Sequence, residues 1–262
     1  MPPEPPGATI AAMERLPHPD GGALAADVDR RDPARWWVVV HGFGSVRGGA
    51  KATALRAAAA HAGASFLAFD ARGHGASSGS IEDLTLSHLV RDLDVAVEAV
   101  VPAGADLLAI GSSLGGLATA WWTVERPGRA RAAVLVAPAF GFVARFLADI
   151  GPEAAAAWAR TGRLTYRNEW MTVPLRHDLV VDAAARSDAR LAARYATDTL
   201  IVHGARDERV PWRVSADFVA ACPHRPLDLH LLGDGDHRLT TRLPDLAHLV
   251  ATVARDGVRR AP

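Results

Sequence analysis

Six short apolar runs, separated by longer amphipathic segments, constrain the fold of this chain more than any other feature. Each run is continuously hydrophobic, a pattern typical of strands that are covered on both faces of a parallel sheet. Strands that alternate with helices predict βαβ units and a mostly parallel, doubly wound α/β sheet. The predicted strands are residues 36–42, 65–70, 106–112, 132–138, 199–205 and 228–235.

The segments between the strands carry helical patterns. Residues 86–100 and 243–257 place apolar side chains at the spacing that forms one face of a helix. The interval 139–196 departs from this rhythm, because it is longer than a crossover needs, rich in arginine and tryptophan, and without an obvious strand. We therefore predict one domain over residues 1–262, with a small helical cap or lid inserted at 139–196.

The charge balance excludes some partners. The chain has 29 basic and 29 acidic residues, so its formal net charge is zero and nothing favours a nucleic acid or an anionic membrane surface. Cys222 is the only cysteine, which excludes an intrachain disulfide and a cysteine-based metal cluster. We expect no nucleic-acid partner, and a monomer or a small homo-oligomer.

Targeting and membrane signals are weak. The segment 1–16 has neither a basic region nor an apolar core, so no secretory signal is expected. The longest apolar stretch, 132–150, is interrupted by Pro138, Gly141 and Arg145 and falls short of a membrane span. These features predict a cytoplasmic protein with no stable membrane insertion.

One strand-to-helix junction has the pattern of a nucleophile turn. Residues 111–115 read GSSLG and match G-x-S-x-G, with a predicted strand before Ser113 and an apolar helix after it. A second match at 75–79, centred on Ser77, lies in a polar loop beyond the end of its strand and is interpreted as a turn. Context therefore favours Ser113 as the nucleophile.

An acid and a base follow at later strand ends. Asp207 comes just after the run at 199–205, and His237 comes just after the run at 228–235. In a parallel sheet both residues would lie at the same carboxyl edge as the serine, in the chain order serine, acid, histidine. Glu208 is the nearest rival acid, whereas Asp234 and Asp236 are too close to the histidine in sequence to be favoured.

Two backbone N–H groups are candidates for an oxyanion hole. His41-Gly42-Phe43-Gly44 follows the first strong strand, and the N–H of Phe43 is expected to pair with that of Leu114 at the helix start. The remaining histidines form neither HExxH nor another metal-ligand spacing. We therefore predict no metal and no cofactor.

Five segments together resemble a known superfamily. By their order and spacing, these segments resemble motifs of the α/β-hydrolase superfamily, and the resemblance covers about residues 36–256. The segments are HGFGS, FDARGHGASSG, GSSLGG, HGARDERVPW and GDGDHR. GSSLGG, VPW and DHR are similar to the small hydrolases grouped around the mitochondrial palmitoyl-protein thioesterase, also described as an acyl-glucuronide esterase. From residues 1–16 we expect no mitochondrial-type presequence.

The resemblance implies an α/β-hydrolase fold and a residue-by-residue assignment of the site. Ser113 corresponds to the nucleophile, Asp207 to the acid and His237 to the base, with Phe43 and Leu114 as oxyanion donors.

The expected function is hydrolysis of a small-molecule carboxylic ester or thioester through an acyl-enzyme intermediate. Two alternatives remain open from sequence. The same residues serve other α/β-hydrolase chemistry, such as carbon–carbon bond hydrolysis or perhydrolysis, and a catalytically silent member would only bind a ligand. The sequence leaves open the acyl-chain preference, the choice between ester and thioester, and the cap residues that line the pocket.

Overall fold

A computed structural model describes residues 13–169, 171–222 and 227–258. The expectation of no secretory signal rests mostly on residues 1–12, which lie outside the described residues. An eight-stranded sheet in the order β1-β2-β4-β3-β5-β6-β9-β10 forms the centre of the fold. Its strands are β1 (Glu14–Pro17), β2 (Ala23–Asp29), β3 (Arg35–Val40), β4 (Ser65–Phe69), β5 (Asp106–Ser112), β6 (Ala132–Val136), β9 (Asp198–Gly204) and β10 (Leu227–Leu232).

The six strands predicted from apolar runs are all present and all parallel to one another. The predicted mostly parallel α/β sheet is therefore confirmed. Strands β1 and β2 were not predicted; they pair antiparallel with each other, and β2 also pairs antiparallel with β4. Their sequences, ERLP and ALAADVD, contain small and charged residues and lack a continuous apolar run of larger side chains.

Helices cover both faces of the sheet. They are α1 (Ala50–His61), α2 (Leu86–Val100), α3 (Leu114–Glu125), α4 (Phe142–Ile150), α5 (Pro152–Thr161), α6 (Asp178–Ala185), α7 (Asp188–Arg194), α8 (Arg213–Ala220) and α9 (Leu243–Asp256). None of these helices, within the described residues, is long and apolar enough to cross a membrane.

Strand β3 explains why apolar runs are continuous. Trp36 and Val38 pack into the cluster that includes α2 and α3, whereas Trp37 and Val39 pack into the cluster that includes α1 and α9. Successive side chains of a strand point to opposite faces, so a strand buried on both faces needs apolar residues at every position.

The interval 139–196 contains more than the helices that were predicted for it. Helices α4, α5, α6 and α7 are present, but an antiparallel pair of strands, β7 (Arg163–Arg167) and β8 (Thr172–Arg176), lies between α5 and α6. The prediction that this interval has no strand was wrong. Strand β7 reads RLTYR with exposed and half-buried residues in alternation, and β8 contains Pro174, so neither resembles a buried strand in sequence.

The two cap strands are anchored by a buried tryptophan. Trp158 of α5 is 1% exposed, and its indole N–H donates to the carbonyl of Leu175 at 3.2 Å. A buried indole that finds a partner for its N–H can supply a large apolar contact without leaving a polar group unsatisfied. This contact holds β8 against α5, so helices and strands of the cap pack as one unit.

Candidate active site

A sharp turn between β5 and α3 presents Ser113. The residue adopts φ 55° and ψ −121°, a conformation that a non-glycine residue rarely takes and that strains the backbone. Its carbonyl accepts hydrogen bonds from the N–H groups of Leu117 and Ala139, which hold the turn against α3 and the segment after β6. The strained turn leaves the Ser113 side chain half-buried at the carboxyl edge of the sheet.

The glycines two positions before and after Ser113 are required by space. A Cβ at Gly111 would lie 2.4 Å from the Thr119 hydroxyl oxygen and 2.5 Å from the Gly115 carbonyl oxygen. A Cβ at Gly115 would lie 2.2 Å from the carbonyl oxygen of His41. Two of these three neighbours are backbone atoms that cannot rotate away, so helix α3 can approach the sheet this closely only with glycine at both positions.

Asp207 and His237 lie beside the serine in one hydrogen-bonded chain. Nε2 of His237 lies 3.2 Å from Oγ of Ser113, and Nδ1 of His237 lies 2.7 Å from Oδ2 of Asp207. Ser113 follows β5, Asp207 follows β9 and His237 follows β10. The carboxyl ends of these three strands share one edge of the sheet. The structure thus brings together the three residues that the sequence singled out.

The Asp207 carboxylate is fully buried and receives four hydrogen bonds. Oδ1 accepts from the N–H groups of Arg209 and Val210, at 2.9 and 2.8 Å, and Oδ2 accepts from His237 and from His203. Burial alone would raise the pKa of this carboxyl, but hydrogen bonds from His203 and His237 and the charge of His237 hold the pKa well below its usual range. Asp207 is therefore a stable anion that faces His237.

The rival acids have other partners. Asp236 accepts a hydrogen bond from the N–H of Leu239 at 2.6 Å, and Asp234 forms an ion pair with Arg242 at 3.0 Å. Glu208 is exposed and lines a cavity next to the site. Among the described residues, the carboxylate that contacts His237 belongs to Asp207.

The predicted oxyanion donors lie on either side of the serine. A Cβ built on Gly42 would be 3.0 Å from Cβ and 3.6 Å from Oγ of Ser113, so the loop that carries Phe43 touches the serine directly. Leu114 is the first residue of α3. In the described part of the chain, neither the Phe43 N–H nor the Leu114 N–H donates to a protein acceptor.

Two histidines hold the loop that carries Phe43. Nε2 of His41 accepts from the N–H of Ala71 at 3.0 Å, and Nε2 of His74 accepts from the N–H of Gly44 at 3.2 Å. Each ring nitrogen must be unprotonated to accept, so both imidazoles are neutral in this arrangement. Burial, with a smaller effect of His74, lowers the pKa of His41 to about 4, and burial also lowers the pKa of His74.

We expect His41 to make the protein less stable in mild acid. The pKa of His41 is about 4 in the folded chain, against about 6.5 for an unperturbed histidine. The unfolded state therefore takes up a proton as the pH falls through 6.5 while the folded state does not, so stability is lost as the pH falls from neutral towards 4. The free energy of unfolding attributable to His41 should fall by about 2 kcal/mol between about pH 7 and about pH 5.

Urea unfolding of wild type and of His41→Gln at the two pH values measures this loss. The fall in the free energy of unfolding between the two pH values should be about 2 kcal/mol smaller in His41→Gln than in wild type. In His61→Gln, which changes an exposed histidine of α1, this fall should equal that of wild type. Equal losses in wild type and His41→Gln would contradict the prediction.

The cap reaches the same loop from the other side. The turn between β7 and β8 places Met171 against Gly44, where a Cβ would lie 1.6 Å from the Met171 methyl carbon. The Phe43 ring lies 5.9 Å from the Tyr166 ring of β7. Glu169 of the same turn forms an ion pair with Arg209, just after Asp207. The cap therefore contacts both the loop that carries Phe43 and the loop that carries Asp207.

A cavity of about 620 Å³ opens where the cap meets the loop after Asp207. Its lining is mixed, with apolar, aromatic and charged side chains of both signs. The lining residues include Ile150 of α4, Tyr166 and Arg167 of β7, and Glu208 and Arg209 of the loop.

The structure agrees with the interpretation of Ser77 as a loop residue, whereas the contacts of His203 and Met171 were not predicted. The Ser77 hydroxyl donates to the carbonyl of Asp70 and accepts from the N–H of Ala25, so it has a structural role in its loop. The contact between His203 and Asp207 was missed, although a histidine at a strand end four residues before the acid is a visible signal. No signal in the sequence pointed to Met171, which reaches its position through the fold of the cap.

A mostly parallel sheet with helices on both faces, and with a strained serine turn at its carboxyl edge, defines the chain as an α/β hydrolase. The sequence model of the family described as "Hydrolase_4: Serine aminopeptidase, S33" matches residues 31–189, and the chain belongs to this family. The α/β-hydrolase fold predicted from sequence is confirmed.

Similar proteins agree with the resemblance seen in the sequence. The mitochondrial palmitoyl-protein thioesterase ABHD10 of Mus musculus is 26% identical over 223 residues, which are 82% of this chain and 73% of that protein. The structure of mouse α/β hydrolase domain-containing protein 10 has a TM-score of 0.80 at 22% identity and covers 96% of this chain and 100% of that one. The resemblance to this thioesterase group is confirmed.

Another solved structure also shares the fold. The structure of Est1E from Butyrivibrio proteoclasticus with bound ferulic acid has a TM-score of 0.75 at 22% identity, and the match covers 94% of this chain and 100% of that one.

Proposed function

We propose that this hydrolase cleaves carboxylic esters or thioesters through a Ser113–His237–Asp207 triad and an acyl-enzyme intermediate. The observation that carries the proposal is the continuous chain of hydrogen bonds from Ser113 Oγ through both ring nitrogens of His237 to Asp207. A nucleophile within reach of a base, which is in turn oriented by a carboxylate, is the arrangement that activates a serine.

The reaction begins with attack of Ser113 Oγ on the substrate carbonyl carbon. His237 Nε2 takes the hydroxyl proton as the new O–C bond forms, and the carbonyl oxygen becomes an oxyanion. When this intermediate collapses, the bond to the leaving oxygen or sulfur breaks and His237 returns the proton to the leaving group. A water molecule then repeats the sequence on the acyl-enzyme and releases the carboxylic acid.

Asp207 keeps the imidazole in the tautomer this reaction needs. Its Oδ2 accepts the Nδ1–H of His237, which leaves Nε2 free to accept the serine proton. Since Asp207 is a buried anion, it also stabilises the imidazolium that forms during attack.

The N–H groups of Phe43 and Leu114 are assigned to the oxyanion. Both are backbone groups fixed by their loop or helix, so they need no reorganisation when the charge develops. In enzymes of this kind each such donor lowers the barrier by about 3–4 kcal/mol. His41 and His74 support this assignment because they hold the loop that carries Phe43.

Relatives point to ester and thioester bonds. One relative is named a palmitoyl-protein thioesterase, one structural neighbour from Pyrococcus furiosus is named an esterase, and the neighbour Est1E has ferulic acid bound. For this chain we propose an acyl ester or thioester substrate that reaches Ser113 beneath the cap. The cavity of about 620 Å³ between the cap and residues Glu208 and Arg209 is the proposed place for part of that substrate.

A substrate panel tests the bond type. Acetyl, octanoyl and palmitoyl esters and the matching thioesters should include members that the protein hydrolyses at neutral pH, with acid and alcohol or thiol released in equal amounts. An aminoacyl anilide belongs in the panel because the description of the family names an aminopeptidase.

Other products would select the alternatives. Peracid formed from a carboxylic acid and hydrogen peroxide would favour a perhydrolase, and cleavage of a β-diketone would favour a carbon–carbon bond hydrolase. If folded protein released acid from no ester or thioester, the proposed function would be wrong.

A further inference from the structure

A second histidine contacts the same oxygen of the Asp207 carboxylate as His237. His203 is the penultimate residue of β9, and its side chain has no solvent exposure. Its Nε2 lies 3.2 Å from Oδ2 of Asp207 and 2.8 Å from the carbonyl oxygen of Val210. Its Nδ1 lies 2.8 Å from Oγ of Ser215 in α8.

These contacts fix the proton on the His203 ring. A carbonyl oxygen can only accept a hydrogen bond, so the short contact to Val210 requires that Nε2 carries hydrogen. Nε2 then donates to both Val210 and Asp207, and Nδ1 shares a hydrogen bond with the Ser215 hydroxyl. The orientation of the ring is therefore determined at both ends.

We propose that His203 is a positioning residue that acts on Asp207. It holds Oδ2 of Asp207 in line with His237, and it weakens the attraction of the Asp207 carboxylate for the proton of His237. The inference rests on the proposed function, because it assigns His203 a part in the same Ser113–His237–Asp207 chain. His203 does not touch the substrate or the reacting atoms; it acts through Asp207.

The shared oxygen explains how the effect reaches the base. His203 and His237 both donate to Oδ2, whereas Oδ1 is occupied by two backbone N–H groups. A donor on Oδ2 withdraws negative charge from the atom that faces His237, and a charged form of His237 is then less strongly favoured. Loss of the His203 donor should leave His237 more easily protonated and Oδ2 free to move.

Other charged groups also surround Asp207. Lys51 of α1 and Arg145 of α4 are close enough to interact with its charge, and Asp236 and Arg238 flank His237 along the chain. In the described part of the chain, the hydrogen bonds to the Asp207 carboxylate come from His203, His237 and two backbone N–H groups and not from these side chains. His203 differs because it bonds directly to the oxygen that orients His237.

A purely structural role makes a different prediction. His203 also links the loop at Val210 to α8 through Ser215, so its loss should lower stability in either case. Only a positioning role should move the pH dependence of the reaction, because a stability defect does not change the proton affinity of His237 in molecules that remain folded.

The test compares His203→Leu, which removes the donor, with His203→Gln, whose amide can place an N–H near the position of Nε2. His88→Leu is the matched control, since His88 is a half-buried histidine of α2 that bonds to the carbonyl of Asp83. The readouts are kcat, KM and the pH profile of kcat/KM on an ester that wild type hydrolyses, with melting temperature measured alongside.

For His203→Leu we expect kcat to fall about tenfold with little change in KM. The acid limb of the profile should move to higher pH by about half a unit. His203→Gln should restore the wild-type limb and most of kcat, and His88→Leu should leave both unchanged. An unshifted acid limb in folded His203→Leu would overturn the proposal.

Proton NMR of the resting protein separates this proposal from the proposed function. The Nδ1–H of His237, hydrogen-bonded to a carboxylate, should give a strongly downfield signal in wild type and His203→Gln and a shifted one in His203→Leu. This readout needs no turnover, so it applies even if no substrate is found. The same signal in all three proteins would overturn the positioning role whether or not the protein hydrolyses esters.

Discussion

Ser113→Ala is expected to abolish turnover of every ester or thioester that the wild-type protein hydrolyses, with kcat reduced by about 10⁶-fold. The substitution removes only Oγ, so no covalent acyl-enzyme can form and His237 has no hydroxyl to deprotonate. The fold should be retained, because Ser113 holds its turn through backbone hydrogen bonds and its side chain accepts no capping hydrogen bond from α3. The measurement is kcat on the best substrate, together with melting temperature.

Labelling with a fluorophosphonate tests whether Ser113 is the reactive nucleophile and needs no known substrate. In wild type the adduct should be found by peptide mass on Ser113, and it should be missing in Ser113→Ala. Ser112→Ala, at the preceding serine in β5, and Ser77→Ala, in the second G-x-S-x-G match, should both keep the label. Labelling or turnover that persisted in Ser113→Ala would place the nucleophile elsewhere. If folded wild-type protein took no label, the ligand-binding alternative would gain strength.

The central sheet was readable from sequence because its strands are buried on both faces. Continuous apolar runs such as Trp36 to Val40 have few other uses in a chain with polar, amphipathic segments between them. Strands β1, β2, β7 and β8 gave no such signal, because they are short, partly exposed, or interrupted by charged residues and Pro174. Antiparallel pairing of this kind depends on which neighbour is within reach, and a local pattern does not contain that information.

The sequence predicted those residues of the candidate site whose positions are determined by the ends of strands. Ser113, Asp207 and His237 each follow a strand, and parallel neighbours bring their carboxyl ends together whatever the loops do. The contacts of His203, His74 and Met171 depend on loop paths and on the packing of the cap. Sequence reasoning could name such residues but could not say what they touch.

Asp207→Asn should reduce kcat by about 10⁴-fold, the loss known for the same change in a serine protease triad. Every partner of the Asp207 side chain is a donor: two backbone N–H groups on Oδ1, and His203 and His237 on Oδ2. Asparagine replaces one of these acceptors with an NH₂ group. With the amide oxygen kept on the two backbone donors, the NH₂ group faces His237, whose Nδ1 must then accept. The imidazole hydrogen moves to Nε2, which can no longer take the proton of Ser113.

Asp234→Asn is the matched control, since it removes a rival carboxylate that is paired with Arg242 instead of His237, and it should leave kcat within about twofold of wild type. Steady-state kinetics should place the loss in Asp207→Asn in kcat rather than KM, because Asp207 acts on the base and not on the bound substrate. Raising the pH should not recover the activity, since the defect is a misplaced hydrogen and not an unwanted protonation. A kcat for Asp207→Asn within about tenfold of wild type, in folded protein, would mean that another carboxylate orients His237 during turnover.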